Sequence, residues 1–220
     1  MVHEVGGDGT EPDPHQDRRN RLVASLAGRG IVDARVLAAM ASVRRHLYVA
    51  PGDEAEAYED RAMAIGSGQT ISQPYMVAYM AQAAEIEPTD RVLEVGTGSG
   101  YGAAVLGSLS DDVWSIERRE DLAQLARQRL AADGFANVTC IIGNGSKGWP
   151  SASPFDAIVV TACATTVPME LLDQLADGGR LIIPVGRRHR VQRLVRVRRH
   201  GVTFEREPLL AVRFVPLVTR

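Results

Sequence analysis

The stretch Arg91-Val-Leu-Glu-Val-Gly-Thr-Gly-Ser-Gly-Tyr-Gly102 limits what the chain can fold into more than any other. Val92, Leu93 and Val95 read as a buried strand. Glycines at the alternate positions 96, 98, 100 and 102 then give a turn whose backbone has almost no side-chain cover. A ligand can approach such a backbone closely. Residues 103–106, Ala-Ala-Val-Leu, are good helix material, so free N–H groups at a helix start would face whatever lies on the turn.

Strand and helix signals alternate beyond the turn: strand 112–117, helix 119–132, strand 137–142, loop 143–150, strand 156–161, helix 168–175 and strand 180–185. Gly134 and Gly178-Gly179 fall where helices should stop. This order predicts an α/β chain with a mostly parallel, doubly wound sheet. Two further strand candidates, 193–198 and 210–216, are joined through His200-Gly201 and a charged segment; the first alternates apolar residues with arginine, which suits an antiparallel pair at the sheet edge. Upstream, Leu22, Leu26, Val36, Leu37 and Met40 recur at helical spacing, with a break at Gly28 to Gly30 and Asp33 placed to cap the second helix. The expected organisation is a flexible tail rich in Gly, Pro and acids over 1–17, then a single domain over 18–220. Its parts are a helical extension 18–62, a loop 63–76, a core 90–186 and C-terminal strands 190–218.

A formal charge of -2 gives no global attraction to nucleic acid or to an anionic membrane. No apolar run approaches the roughly 18 residues that would span a bilayer, and the first residues are polar and acidic, so neither secretion nor membrane insertion is expected. Cys140 and Cys163 lie apart with no C-x-x-C and read as buried thiols of a reducing compartment. The scattered histidines suggest no metal site. A cytoplasmic monomer with no nucleic-acid or membrane partner is expected. Arginines at 187, 188, 190, 193, 196, 198 and 199 read as a solvated edge that blocks strand-to-strand aggregation rather than as an anion-binding patch.

Two ligand classes use a glycine turn of this kind. The dinucleotide spacing G-x-G-x-x-G fails from Gly96 because residue 101 is Tyr, and passes only loosely from Gly98, ending at Ala103. Glu94 tips the balance. A carboxylate two residues before the first glycine would oppose a pyrophosphate but suit a positively charged ligand, and S-adenosylmethionine carries an amino group and a sulfonium. Glu94-x-Gly96-x-Gly98-x-Gly100 resembles the first motif of the S-adenosylmethionine-dependent methyltransferases. A second acid, Glu117, ends the next apolar strand about twenty residues on, where a ribose diol would lie. Residues 63–76 mix apolar, hydroxyl and amide side chains without a period before Pro74 opens a helix. This stretch suits a site, and Ser72 would otherwise serve as an N-cap.

Several stretches taken together resemble one family, the protein-L-isoaspartate (D-aspartate) O-methyltransferases. They are Gly68-Gln-Thr-Ile-Ser-Gln-Pro-Tyr-Met76, Leu93-Glu-Val-Gly-Thr-Gly-Ser-Gly-Tyr101, Pro154-Phe-Asp-Ala-Ile-Val-Val-Thr161, Leu175-Ala-Asp-Gly-Gly-Arg-Leu-Ile-Ile-Pro-Val-Gly186 and Ala211-Val-Arg-Phe-Val-Pro-Leu-Val218. The first is the family's most distinctive segment; the second is generic. The resemblance implies a Rossmann-like methyltransferase sheet with added N-terminal helices and a C-terminal antiparallel pair. It implies methylation of the free α-carboxylate of L-isoaspartyl residues in damaged peptides and proteins, whose ester closes to a succinimide that reopens as aspartate. It makes Ser72 the active-site serine. Gln69, Thr70, Ile71, Ser72, Glu94, Gly96, Thr97, Gly98, Ser99, Gly100, Glu117, Arg118, Gly143 and Asn144 become cofactor-binding, and Ile65, Gly66, Ser72, Val212 and Arg213 substrate-binding.

A carboxylate with a reference pKa of roughly 3.5 to 4 is ionised at neutral pH, so its attack on a methyl sulfonium needs no general base, which fits the lack of a histidine or carboxylate dyad. Three departures from the family stand beside the resemblance. Gly143-Asn144-Gly145 replaces a usual Gly-Asp-Gly, leaving an amide oxygen that accepts a hydrogen bond without the charge; Ser146-Lys147 stand where an aromatic or other bulky residue is common; and Cys163 replaces a small residue after the fourth strand. They keep a specialised relative in view, one that methylates an ordinary aspartate in a dedicated peptide. A nicotinamide-dependent oxidoreductase and a non-catalytic cofactor-binding module are the remaining alternatives.

Overall fold

The carboxylate of Asp33 accepts hydrogen bonds from the N–H groups of Arg35 and Val36 at 2.8 and 3.2 Å, the capping expected of it. It starts α2 (Ala34–Ser42) after α1 (Gln16–Gly28) has ended at a turn where Gly30 takes φ 95°. The computed structural model describes residues 13–187 and 190–218. Of the tail expected over 1–17, residues 1–12 lie outside the described residues, and 13–17 enter a turn and the first helix.

The rest of the chain forms a two-stranded hairpin, β1 (Met63–Gly66) and β2 (Gln69–Ile71), then α3 (Pro74–Ala84), β3 (Arg91–Val95) and α4 (Tyr101–Gly107). β4 (Asp112–Glu117), α5 (Glu120–Ala132), β5 (Val138–Ile142), β6 (Phe155–Val160) and α6 (Met169–Leu172) follow, and β7 (Leu175–Val185), β8 (Gln192–His200) and β9 (Thr203–Val212) close the chain. Seven strands make one sheet in the order β5-β4-β3-β6-β7-β8-β9. Pairs from β5 to β7 are parallel, and β8 and β9 are antiparallel additions. Alternation along β3 sends Val92 to a core shared with α1 to α4, and Leu93 and Val95 to a second core beneath α6. The sheet is therefore covered on both faces, as its near-continuous apolar strands require.

Three elements differ from the sequence reading. The loop 63–76 contains the β1–β2 hairpin, whose turn places Gly66, Ser67 and Gly68 at φ 87, 54 and 69°. Its strands are too short to show a period. The helix expected over 168–175 is one turn, because Leu175 already starts β7, paired with Phe155 of β6. β7 then runs through Gly178-Gly179, where a Cβ on Gly179 would sit 2.8 Å from Ala176 O; these glycines serve an irregular strand, not a helix stop. Finally, the charged connector after Gly201 is itself the edge strand. Arg196 faces Glu207 and Arg198 faces Glu205 across β8 and β9, so opposite charges stand in for apolar pairs, and Pro208 is tolerated at the sheet edge. Residues beyond Val212 leave the sheet, and Pro216 bridges to Cys163.

Candidate active site

Strand order reverses at β3, whose two neighbours are β4 and β6, and the carboxyl ends of these strands open onto a cleft of about 1020 Å³. One wall is the glycine turn with the end of β4. The second is the hairpin lid and the start of α3. The third is the segment 211–218.

The turn is built for close approach. Gly96, Gly98 and Gly100 take φ 100, 55 and 93°, and a Cβ on Gly96 would overlap the Thr161 hydroxyl. Gly102 answers a different need: its φ is ordinary, but a Cβ there would overlap Glu94 Oε1. Glu94 is 1% exposed and forms no ion pair among the described residues. Its Oε2 accepts from the Ser115 hydroxyl at 2.5 Å. Because that proton is committed, the Thr97 hydroxyl donates to Ser115 Oγ at 2.6 Å, giving a chain from the turn to the carboxylate. Burial pushes the Glu94 carboxyl up to about 8, the Ser115 bond opposes the shift, and the charge of Glu117 adds to it. Glu117 closes β4 with one oxygen on Gly98 N at 3.0 Å and the other on Arg119 N at 3.0 Å. A carboxylate offers about four acceptor positions, so capacity remains for a diol.

On the lid, Gln69, Thr70, Ile71 and Ser72 line the cleft. Ser72 is half-buried and its hydroxyl has no hydrogen-bond partner among the described residues. It does not cap α3. Gln73 holds the cap position, its amide donating to Asp60 O and Oδ2 at 3.0 and 2.9 Å, while Asp60 Oδ1 accepts from Tyr75 N at 2.8 Å. Asp60, distant in sequence, does the capping and leaves the serine facing the cleft.

Thr97, Ser99, Arg118, Val212 and Arg213 also line it, with Glu94, Gly96, Gly98 and Glu117. Five expected residues lie outside the lining. Gly100 caps α4 against Ala126 and Tyr48. Ile65 packs on the turn, its Cδ1 3.5 Å from where a Gly98 Cβ would be, and Gly66 belongs to the exposed tip of the hairpin. Gly143 ends the third parallel strand, and Asn144 Oδ1 accepts from Ser146 N and Oγ at 3.1 and 2.9 Å, so Gly145 reaches the cleft instead. Sequence reasoning missed Thr161, Tyr101 and Val191. Thr161 was findable, as a polar residue just past the end of the strand beside β3. Tyr101, 1% exposed under the buried Arg45 guanidinium at 4.7 Å, offered only its place in the turn. No helix among the described residues is long and apolar enough to cross a membrane.

The family model for protein-L-isoaspartate (D-aspartate) O-methyltransferases matches residues 17–220. Among curated proteins, the chain is 54% identical over 207 residues to protein-L-isoaspartate O-methyltransferase 2 of Pelobacter propionicus, covering 93% of this chain and 92% of that one. Among solved structures it is similar to a protein-L-isoaspartate O-methyltransferase at TM-score 0.83 and 28% identity, over 90% of this chain and 65% of that one. It is also similar to a Plasmodium falciparum structure described as a protein-L-isoaspartate O-methyltransferase in complex with S-adenosyl-L-homocysteine. That match has TM-score 0.81 and 28% identity, over 95% of this chain and 100% of that one.

Proposed function

We propose how the cleft works from the premise that the chain belongs to the protein-L-isoaspartate (D-aspartate) O-methyltransferase family. The enzyme transfers the methyl group of S-adenosylmethionine to the free carboxylate of L-isoaspartyl residues in proteins and peptides, and the ester's closure to a succinimide opens the way back to aspartate. The observation that carries our assignment of roles is that Ser72, whose hydroxyl has no partner among the described residues, and Glu94, a buried acid with no cation among them, line one cleft together with a bare glycine turn.

The residues present fit the cofactor. Bound there, it supplies an electrophilic methyl on a cationic sulfur. Glu94 gives its positive end a counter-charge inside the protein, and Thr97 and Ser115 keep that carboxylate fixed. Glu117 presents its spare acceptor positions to the ribose while bracing the turn through Gly98. The overlap that a Gly96 side chain would suffer explains why the backbone itself forms the floor. Ser72 donates to the substrate carboxylate and aims one oxygen at the methyl. No side chain needs to take a proton, since the carboxylate arrives ionised. Opposite charges cancel as the methyl moves, so a water-poor cleft favours that step, and alignment supplies several kcal/mol, up to roughly 7–11 in the best cases. Gln69, Thr70 and Ile71 shield the cofactor, and Val212 and Arg213 flank the peptide. The unpaired thiols Cys140 and Cys163 support a reducing, cytoplasmic setting, in which we read the chain as a monomer.

The test is a matched pair, an isoaspartyl peptide and its aspartyl twin, incubated with methyl-labelled cofactor. Label should enter only the isoaspartyl member. Label in the aspartyl member alone would replace repair with modification of a dedicated peptide, and label in neither would overturn the reading.

A further inference from the structure

The arginines of the C-terminal strands do not form one uniform edge. On the half of the sheet away from the cleft they are held by acids or by a backbone carbonyl. Arg180 pairs with Asp90 at 2.6 Å, Arg196 with Glu85 and Glu207 at 2.6 Å each, and Arg198 with Glu85 at 2.8 Å; Arg199 donates to Leu175 O at 2.6 Å. Arg206 is the exception there, an exposed side chain whose register partner is Val197.

At the cleft end the pattern inverts. β8 is antiparallel to β7, so Gln192 and the start of β8 lie beside the carboxyl end of the parallel strands, as does the end of β9. Arg193 pairs in register with Ala211, and Arg213 lies two residues further along Ala211's side of the chain. Val212, the last residue of β9, pairs with Gln192 and both are buried, so Arg193, Ala211 and Arg213 fall on the other, exposed side at this end of the β8–β9 pair. Both arginines are exposed, and among the described residues neither side chain has a hydrogen bond or ion pair; the same holds for the side chains of Arg187 and Arg190, which precede β8. Arg213, Ala211 and Val191 line the cleft itself. Phe214, next along, is clamped to the Gln192 side chain by bonds of 2.7 and 3.0 Å, so Arg213 stands on a fixed base.

The cleft's own acids, Glu94 and Glu117, are buried at the cofactor end, and Arg118 and Arg119 follow Glu117 there. Arg213 is the charge lining the end between lid and closing segment. It is unsuited to the reacting carboxylate: a guanidinium there would stabilise the ionised ground state more than a transition state in which that charge is disappearing. Two like charges side by side repel, and an anion between them relieves the repulsion. Resting on the methyl-transfer reading above, we propose that Arg193 and Arg213 form a carboxylate-selecting mouth, so that the enzyme favours isoaspartyl peptides carrying a second carboxylate beside the damaged residue.

That carboxylate can come from an acidic side chain or from the peptide's C-terminus. The experiment uses isoaspartyl peptides with a neutral flank, with Glu before the isoaspartyl residue, with Glu after it, with Lys in the same places, and with free or amidated C-termini. The readout is the ratio of kcat/KM, acidic to neutral, within each enzyme, so a general loss of activity cancels. In the wild type we expect a ratio of about 3 to 10, carried by KM, that shrinks at high salt. Arg193→Gln should lower it, the Arg193→Gln/Arg213→Gln double variant should bring it to about 1, and the lysine double variant should keep most of it. A gain limited to the free C-terminus assigns the mouth to chain ends; a gain limited to Glu assigns it to side chains. A wild-type ratio near 1, or a ratio unchanged in the double variant, overturns the inference while leaving methyl transfer standing. Failure to methylate any of the peptides would instead strike the reading on which it rests.

Discussion

The glycine turn and the lid hairpin face each other across one cleft, yet they are held by different physics. The turn sits between buried strands, and its acids are fixed by short bonds, Glu94 through Ser115 and Glu117 through Gly98 and Arg119. The hairpin has strands of four and three residues and an exposed tip, tied down by the Ser67 hydroxyl and, after Ser72, by Asp60. Burial makes the turn, to which we assign the cofactor, intolerant of change. Exposure leaves the hairpin, to which we assign the substrate, free to adjust, because its bonds compete with water.

Paired glycine substitutions test that difference most severely. Gly96 and Gly68 both have positive φ, 100 and 69°, but a Cβ on Gly96 meets Thr161 Oγ1, whereas one on Gly68 meets nothing within 4 Å. Gly96→Ala should weaken S-adenosylhomocysteine binding on the order of a hundredfold or more, since strain and overlap add. Gly68→Ala carries only the left-handed penalty of roughly 1–2 kcal/mol and should raise peptide KM while leaving cofactor affinity within about twofold. Equal losses by calorimetry would show that the two sides are not separable.

Ser72→Ala asks whether chemistry can be removed from the exposed side without touching the buried one. Loss of one aligned donor is expected to reduce kcat about 100-fold with the cofactor dissociation constant unchanged. Unchanged turnover in a methyl-transfer assay would remove Ser72 from the mechanism.

Glu94 makes the buried side measurable through pH. Its carboxyl, raised from 4.5 to about 8, is mostly protonated at pH 7 in the free enzyme, and a cationic ligand favours the ionised form. Cofactor binding at pH 7 should therefore release a proton, with affinity rising as pH climbs toward 8 and levelling above it. Glu94→Gln should abolish that release and weaken binding about tenfold at pH 8, with a smaller deficit at pH 6, where glutamine resembles the protonated acid. Calorimetry in buffers of different ionisation enthalpy separates this from the ligand's own titration, which both enzymes share. In the ligand-free state the sign reverses. A folded pKa above the unfolded one makes the wild type lose stability as pH rises from about 4.5 through 8, so the glutamine variant should gain more Tm at pH 8 than at pH 5.

The same division decided what could be read from the chain. β3, its glycines and Glu117 were legible because burial forces apolar runs and bare turns, and those leave marks at neighbouring positions. Asp33 was legible as a cap because its partners, Arg35 and Val36, are local. Asp60 was not, since it caps α3 from fifteen residues away and nothing near Pro74 advertises it. The β1–β2 hairpin is too short for a period of two to show. The charged strand β9 was taken for a connector because its pairing is by charge across strands, Arg196 to Glu207, which a hydrophobic pattern cannot reveal. Asn144 was placed by analogy with an acid, and its Oδ1 takes a local role that no motif shows, accepting from the N–H and hydroxyl of Ser146.

The smallest expected effect lies at a polar tie between the two sides. Ser67 Oγ donates to Asp121 Oδ2 at 2.6 Å, joining the hairpin tip to the first turn of α5, just beyond Glu117. The bond is exposed, so Ser67→Ala should raise peptide KM by only about two- to threefold, with cofactor affinity unaltered. Ser67→Gly loses the same hydroxyl but also relieves a positive φ of 54°, and should fall closer to wild type. Asp121 is held below its ordinary 3.8, chiefly by the Ser67 bond, so the tie is complete above that value and is lost only as pH falls through the lowered one. The KM difference should thus be constant from pH 6 to 9, the range over which the Glu94 effect changes. If the Ser67→Ala deficit instead tracked pH in step with cofactor binding, the lid would have to be reporting the state of the buried acid, and the two sides would be one coupled unit.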